Sequence, residues 1–169
     1  MKSILRISQS LLDAVRKDLL RPHPFAAERV GFLVCRFGWT SKRDLLILGA
    51  FYIVVGDQDY VDNPRFGALL GPRGFSRAFG FAFQNDVGIF HIHLHHHRGR
   101  PGFSGIDRTE MAKYVPDFFN VRQHRPHGAI VASLDRLIGC VWMTPRSKGK
   151  PISDFEVVGS PGQLFKGEQ

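Results

Sequence analysis

Histidines alternate along one short apolar stretch of this 169-residue chain. Five of the eight histidines lie between residues 91 and 97, and His91, His93 and His95 occupy every second position at the end of the segment Val87–His95. This segment is rich in β-branched and aromatic residues, and a loop containing glycine and proline follows it, which predicts a β-strand. Side chains two residues apart in a strand lie on one face, about 6.5–7 Å apart. The three imidazoles are therefore expected to share a face.

Two imidazoles at this spacing can bind one zinc ion, which takes Zn–N distances of about 2.0–2.1 Å. One alternative is a set of partly buried histidines, each satisfied by a hydrogen bond; another is a His-rich tract that binds metal through composition alone. Three buried histidines would need three separate partners, and the tract is internal and runs into a specific loop. The pattern therefore favours a defined metal site.

Two acidic residues could complete such a site. Asp107 follows Ser104 by three residues, a spacing typical of a capping box at a helix start, and it could also supply an oxygen ligand. Two histidines and one carboxylate leave a zinc position open, as in catalytic sites. Glu28 lies directly before the apolar segment Arg29–Phe37. Taken alone, Glu28 would be interpreted as a solvated surface charge; beside a metal-bound water it becomes a candidate general base.

These residues, taken together and in chain order, resemble the JAMM signature of the JAB/MPN-domain metalloproteases, in a similarity that spans roughly residues 10–143. The matching motifs are Glu28-x-x-Gly31, His93-x-His95 and Ser104-x-x-Asp107. The surrounding sequence also resembles a bacterial branch of the family, most clearly in the stretch from Pro24 to Phe32 and the stretch from Gly99 to Asp107.

The resemblance implies a role for each matching residue. His93, His95 and Asp107 would bind Zn²⁺, with water in the fourth position. Glu28 would accept a proton from that water and deliver it to the leaving amine. Ser104 would donate a hydrogen bond to the oxyanion.

The histidine motif departs from the usual family pattern. Leu94 and His96 stand where the family usually has Ser or Thr and Pro, and the gap to the serine is eight residues instead of seven. The pair His93/His95 is predicted, because a one-residue loop insertion is easily accommodated. The pair His95/His97 is also off by one, and it requires the strand to continue two residues further.

Helical and strand patterns mix without a regular βαβ alternation, which predicts an α+β domain with a mixed β-sheet flanked by helices. The resemblance implies a compact MPN-like (cytidine-deaminase-like) fold. One domain is expected over residues 1–169, with a core at about 10–143 and a C-terminal extension at 144–169. The predicted helices run from Ser10 to about Leu20, over Phe75–Gln84 and from Ser104 to Pro116. The predicted strands are Arg29–Phe37, Leu45–Val55, Val87–His95, Ala129–Ser133, Ile138–Met143 and Phe155–Val158.

Composition excludes some classes of protein. The longest apolar runs are about half the ~20 residues of a membrane span, so a membrane protein is not expected. The net charge of +8 permits nucleic-acid binding, but the basic residues are scattered and match no nucleic-acid-binding motif. Two cysteines and the lack of an uninterrupted apolar leader predict a cytoplasmic protein.

The resemblance implies a zinc-dependent isopeptidase or peptidase that cleaves at the C-terminus of a ubiquitin-like protein, by deconjugation or precursor processing. Bacterial members often accompany E1-like and E2-like enzymes in conjugation systems linked to antiphage defence, so such proteins are the expected partners. Two alternatives belong to other classes. One is a non-catalytic MPN-type scaffold, whose hallmark is loss of the Glu, His or Asp positions, all of which are present here. The other is a basic nucleic-acid-binding domain.

Overall fold

The apolar segments lie side by side in one mixed β-sheet. The computed structural model describes residues 1–159 and the backbone of residues 163–166. The strands in these residues are β1 (Ser3–Ser8), β2 (Val30–Trp39), β3 (Leu45–Val54), β4 (Gly88–Leu94), β5 (His127–Ala132), β6 (Leu137–Trp142), β7 (Lys150–Pro151), β8 (Asp154–Val158) and β9 (Gln163–Lys166). Their order in the sheet is β7-β6-β5-β4-β2-β3-β1-β8-β9.

The sheet contains both parallel and antiparallel pairs. Strand β1 is parallel to both β3 and β8, and β4 is parallel to β5. The other neighbouring pairs are antiparallel, including β2 with β3 and β2 with β4. The predicted α+β class with a mixed sheet flanked by helices is therefore confirmed.

Three α-helices cover the two faces of the sheet in the described residues: α1 (Gln9–Leu19), α2 (Pro72–Gln84) and α3 (Gly105–Val121). Helix α1 packs in one apolar cluster with the β4 residues Phe90, Ile92 and Leu94. Helices α2 and α3 pack in a second cluster with Ile89. Because strand side chains alternate between faces, the odd-numbered residues of β4, including His91 and His93, lie on the face of α2 and α3.

The sequence pattern missed the first strand. Residues 3–8 alternate buried and more exposed positions, and Ser8, instead of Ser10, caps helix α1 by accepting a hydrogen bond from the Leu11 N–H at 3.2 Å. Strand β1 lies between β3 and β8 in the sheet. The segment predicted as a C-terminal extension thus supplies β8, which pairs with the first strand of the chain.

The prediction that Pro116 limits the third helix is wrong. Helix α3 continues through Pro116 to Val121. A proline inside a helix costs a backbone hydrogen bond and adds a steric clash, about 3 kcal/mol or more. The apolar residues on either side of it, Val115, Phe118 and Phe119, are buried against the sheet, and their burial offsets that cost, at about 1.5–3 kcal/mol for each large side chain.

Packing explains the glycine of the Glu28-x-x-Gly31 motif. A Cβ at Gly31 would overlap the ring of Tyr52, which crosses it from β3. The Tyr52 hydroxyl donates a buried hydrogen bond to Asp18 Oδ2 of α1 at 2.7 Å. Because only glycine leaves room for this tyrosine ring across the strand, the packing of the fold requires Gly31.

No α-helix among the described residues has the length and apolar composition needed to cross a membrane.

His127 is expected to make folding stability depend on pH. It is fully buried, its Nδ1 accepts from the Ile89 N–H at 3.1 Å, and its Nε2 lies 2.9 Å from the Arg122 carbonyl, to which it donates. Burial lowers its pKa from 6.5 to about 4. The unfolded chain therefore binds more protons between these values. The contribution of His127 to the free energy of unfolding is complete above pH 6.5. As pH falls toward 4, about 3 kcal/mol of it is lost.

Urea unfolding measured from pH 7.5 to 4 tests this expectation. His127→Gln should lose that part of the pH dependence, whatever its stability at neutral pH, whereas the same substitution at the exposed His124 should leave the wild-type slope unchanged. Equal slopes for wild type and His127→Gln would show that His127 is not the group responsible.

Candidate metal centre

Two adjacent strands bring three side chains to one point. His93 and His95 lie at the end of β4 and just beyond it, and Glu28 lies two residues before Val30 of β2. Val30 pairs with His93 in the antiparallel β2–β4 ladder. Glu28 is therefore level with the end of β4. One ligand atom from each of Glu28, His93 and His95 lies within 4.8 Å of the other two.

Asp107 joins this group from the first turn of α3. The two histidine Nε2 atoms are 3.2 Å apart. The Asp107 carboxylate places Oδ1 3.3 Å from His93 Nε2 and Oδ2 4.0 Å from His95 Nε2. Glu28 Oε1 lies 3.8 Å from His95 Nε2. The structure thus brings all four predicted side chains together around the two ring nitrogens.

Ser104 and Asp107 form the predicted capping box, which also positions the carboxylate. The Ser104 N–H donates to Asp107 Oδ2 at 2.6 Å, and the Asp107 N–H donates to Ser104 Oγ at 3.1 Å. These bonds fix the Asp107 side chain while its Oδ1 faces His93. The capping and ligand interpretations are therefore compatible. Since Ser104 Oγ acts as an acceptor in the cap, its own hydroxyl hydrogen is not used there.

Electrostatics hold His95 and Asp107 in the protonation states that metal ligands need. Burial lowers the pKa of His95, and the neighbouring His93 lowers it further. Burial acts to raise the pKa of Asp107, but the hydrogen bonds from His93 and Ser104 outweigh it and hold that pKa well below its usual range. At neutral pH the site therefore presents a neutral His95 imidazole and an ionised Asp107 carboxylate, as metal binding requires.

The backbone of Glu28 is held by contacts that the sequence pattern does not reveal. Its N–H donates to the Gly67 carbonyl at 3.0 Å. The next residue, Arg29, is 2% exposed and donates to Asp57 at 2.7 Å and to the Pro22 carbonyl at 2.6 Å. An arginine inside an apolar segment is a signal for such an anchor. Gly67 gives no signal, because it lies 39 residues further along the chain.

The remaining histidines of the tract occupy different surroundings. His91 is buried, with its ring centroid 4.7 Å from that of Tyr114. His97 is exposed, and its Nδ1 donates to the Arg98 carbonyl at 2.9 Å. The ring centroids of His95 and His97 are 5.9 Å apart, against 5.0 Å for His93 and His95. His96 is exposed. Of these neighbouring pairs, His93 and His95 have the closest ring centroids, and they are the predicted pair.

The chemistry of the donor set fits zinc. Two imidazole nitrogens and one carboxylate oxygen are ligands that zinc takes in hydrolytic sites, where a fourth position stays open. A second carboxylate, Glu28, stands beside His95 at 3.8 Å. The structure therefore offers four candidate ligand side chains, those of Glu28, His93, His95 and Asp107.

The group lies in a cleft of about 510 Å³. The cleft has a polar end, formed by the four grouped side chains with Ser104, and an apolar end, which includes Val30, Phe75 and Tyr114. This volume lies within the range of about 300–1,000 Å³ that is common for ligand sites.

Comparison with known proteins gives no family. No protein-family model matches the chain, and no curated protein does. Among solved structures, the chain is similar to the N-terminal domain of STIL from Trichoplax adhaerens, with 10% identity and a TM-score of 0.38. The alignment covers 81% of this chain and 41% of that one. A likeness at this level carries no inference about the site.

Proposed function

We propose that this chain is a zinc-dependent peptidase or isopeptidase of the JAMM type. The observation that supports the proposal is the convergence of Glu28, His93 and His95 within 4.8 Å, with Asp107 3.3 Å from His93. These residues come from three separate segments of the chain, at positions 28, 93–95 and 107, and they resemble the JAMM signature in order and residue type.

Each of these side chains has its own role in amide hydrolysis. A zinc ion bound by His93, His95 and Asp107 would supply a Lewis acid that lowers the pKa of a bound water from 15.7 to about 7. Glu28 accepts the proton of the attacking water and then donates it to the leaving amine. Its backbone hydrogen bond to the Gly67 carbonyl fixes the main chain from which the carboxylate reaches to 3.8 Å from His95 Nε2.

Ser104 supplies the hydrogen-bond donor for the oxyanion. Ser104 lines the cleft, and its Oγ accepts a hydrogen bond from the Asp107 N–H at 3.1 Å. Its hydroxyl donates a hydrogen bond to the oxyanion as the carbonyl carbon becomes tetrahedral. An oxyanion donor of this kind typically contributes about 10²–10³ in rate.

The substrate is inferred from the family resemblance alone. It is the C-terminus of a ubiquitin-like protein, either in a precursor or joined to a target, with E1-like and E2-like proteins of a bacterial conjugation system linked to antiphage defence as partners. The compact MPN-like fold and a cytoplasmic location belong to the same proposal.

The purified chain is expected to contain about one zinc ion, because three protein ligands in an open arrangement describe one catalytic site. Elemental analysis measures the zinc, and a ubiquitin-like protein with a fluorogenic C-terminal amide reports cleavage. Dialysis against a chelator should abolish cleavage, and added zinc should restore it. A metal-free preparation with full activity would contradict the proposal, whereas a chain with neither zinc nor activity would favour the scaffold alternative.

Gly67→Ala is expected to lower turnover by about tenfold and to leave zinc bound, since small displacements of a catalytic group are costly. The new Cβ would lie 3.2 Å from both Cδ and Oε2 of Glu28, which forces the carboxylate to move. The ligands are untouched. Gly80→Ala is the matched control, because a Cβ there meets nothing within 4 Å. Equal turnover for the two variants would show that Gly67 does not position Glu28.

A further inference from the structure

The apolar end of the cleft has no role in the hydrolysis described above. Val30 lies opposite His93 in the sheet, so this apolar wall begins directly beside the metal-binding group. Leu70, Phe75 and Tyr114 also line the cleft, as does Ile106, which is 48% exposed. An exposed isoleucine on the cleft wall, one residue before a predicted zinc ligand, suggests contact with a bound molecule.

The wall is held rigid by aromatic packing. The ring of Phe75 lies 6.0 Å from that of Tyr114 and 5.4 Å from that of the buried Phe32, measured between centroids. Tyr114 also packs on Phe118, at 5.7 Å. Phe75 thus contacts the buried Phe32, and Tyr114 contacts the buried Phe118, which restricts both rings in the absence of a ligand. A preformed apolar surface of this kind binds apolar groups without a cost for ordering its own side chains.

We propose that the apolar end of the cleft is a specificity pocket for a bulky apolar side chain next to the scissile amide bond. This inference rests on the proposed function and deepens it. A substrate with only glycine on both sides of that bond would leave the wall in contact with water. Leucine or phenylalanine would cover it, at about 0.8 kcal/mol for each buried CH₂ group. The preferred substrates therefore carry a large apolar residue at one of the two flanking positions.

A matched peptide series tests the pocket with two readouts. Peptides that differ only in one flanking residue (Gly, Leu, Phe, Lys or Asp, on either side of the bond) are assayed for kcat/KM with the zinc-loaded chain. Their fluorescent versions are assayed for binding to the metal-free chain by polarization. At one of the two positions, the Leu or Phe peptide should have a kcat/KM and a binding affinity about tenfold or more above those of the Gly peptide, since the apolar side chain contributes several buried CH₂ groups.

Two variants of Ile106 locate the effect. In Ile106→Val and Ile106→Thr the new residues are both β-branched and almost equal in size. They differ only in that threonine has a hydroxyl group where valine has a methyl group, at this exposed position. The valine variant should keep the preference for Leu over Gly, and the threonine variant should reduce it by about threefold or more. Both should keep zinc. An equal preference in the two variants would contradict contact at Ile106.

The outcomes separate the pocket from the proposed function. Cleavage without any apolar preference would overturn the pocket and leave the peptidase proposal in place. Apolar preference in binding without cleavage by the zinc-loaded chain would support the pocket and overturn the peptidase proposal. No binding difference between Gly and Leu peptides in the metal-free chain would overturn the pocket.

Discussion

Glu28→Gln is expected to lower the turnover number by about 10²–10⁴-fold while zinc stays bound, the range typical of general acid–base catalysis. The amide is almost equal in size to the carboxylate and keeps the same backbone hydrogen bond to Gly67. It cannot accept the proton of the attacking water. Because His93, His95 and Asp107 are unchanged, the metal content should remain about one ion per chain. Elemental analysis and steady-state kinetics measure the two quantities separately.

The matched control is Glu110→Gln. Glu110 also lines the cleft, but its carboxylate pairs with Lys113 at 2.7 Å on the surface of α3. Its substitution removes the same charge from the same cleft and should change turnover by no more than a few-fold. Comparable activity of Glu28→Gln and wild type would show that Glu28 is a surface charge and not a general base. Equal losses for both glutamates would point to the net charge of the cleft and not to a base at Glu28.

The sequence was sufficient to predict the elements that bury long apolar runs. Strands β2, β3 and β4 and helix α2 lie within a few residues of their predicted bounds, because hydrophobic periodicity reflects burial. Strand β1 was missed because the strands that pair with it, β3 and β8, lie about 40 and 150 positions away in the chain. The extent of α3 was missed because packing of Phe118 and Phe119 outweighs the local effect of proline.

The candidate site also combines features that the local sequence predicts with features that only tertiary packing sets. The residue types and their order were enough to nominate Glu28, His93, His95, Ser104 and Asp107, and the fold brings them together. The spacing in the chain also indicated the Ser104–Asp107 cap that orients Asp107, but it carries no information on what orients Glu28. The Gly67 carbonyl that binds the Glu28 N–H, and Leu70 and Phe75 of the apolar wall, come from a part of the chain joined to the site only by tertiary packing.

Alanine substitution at His93 or His95 is expected to empty the zinc site, because two protein ligands remain where three are needed. The metal content should fall from about one ion to near zero after dialysis, and cleavage should disappear with it. His97→Ala should keep zinc and activity, since the His97 Nδ1 is bonded to the Arg98 carbonyl and its ring lies beyond that of His95. His96→Ala, at an exposed position, should also keep both. Elemental analysis of the four variants, with thermal unfolding to confirm folding, is the measurement.

Asp107→Asn is the internal reference for this series. Alanine at Asp107 would also remove half of the capping box, whereas asparagine keeps an oxygen that can accept the Ser104 N–H and loses the charged ligand. It should lose zinc whichever histidine pair binds the metal. If His97→Ala loses zinc as Asp107→Asn does, and His93→Ala keeps it, the pair is His95/His97 and the strand must continue three residues beyond its observed end at Leu94, to His97. The 3.2 Å approach of the His93 and His95 ring nitrogens leads us to expect the opposite result.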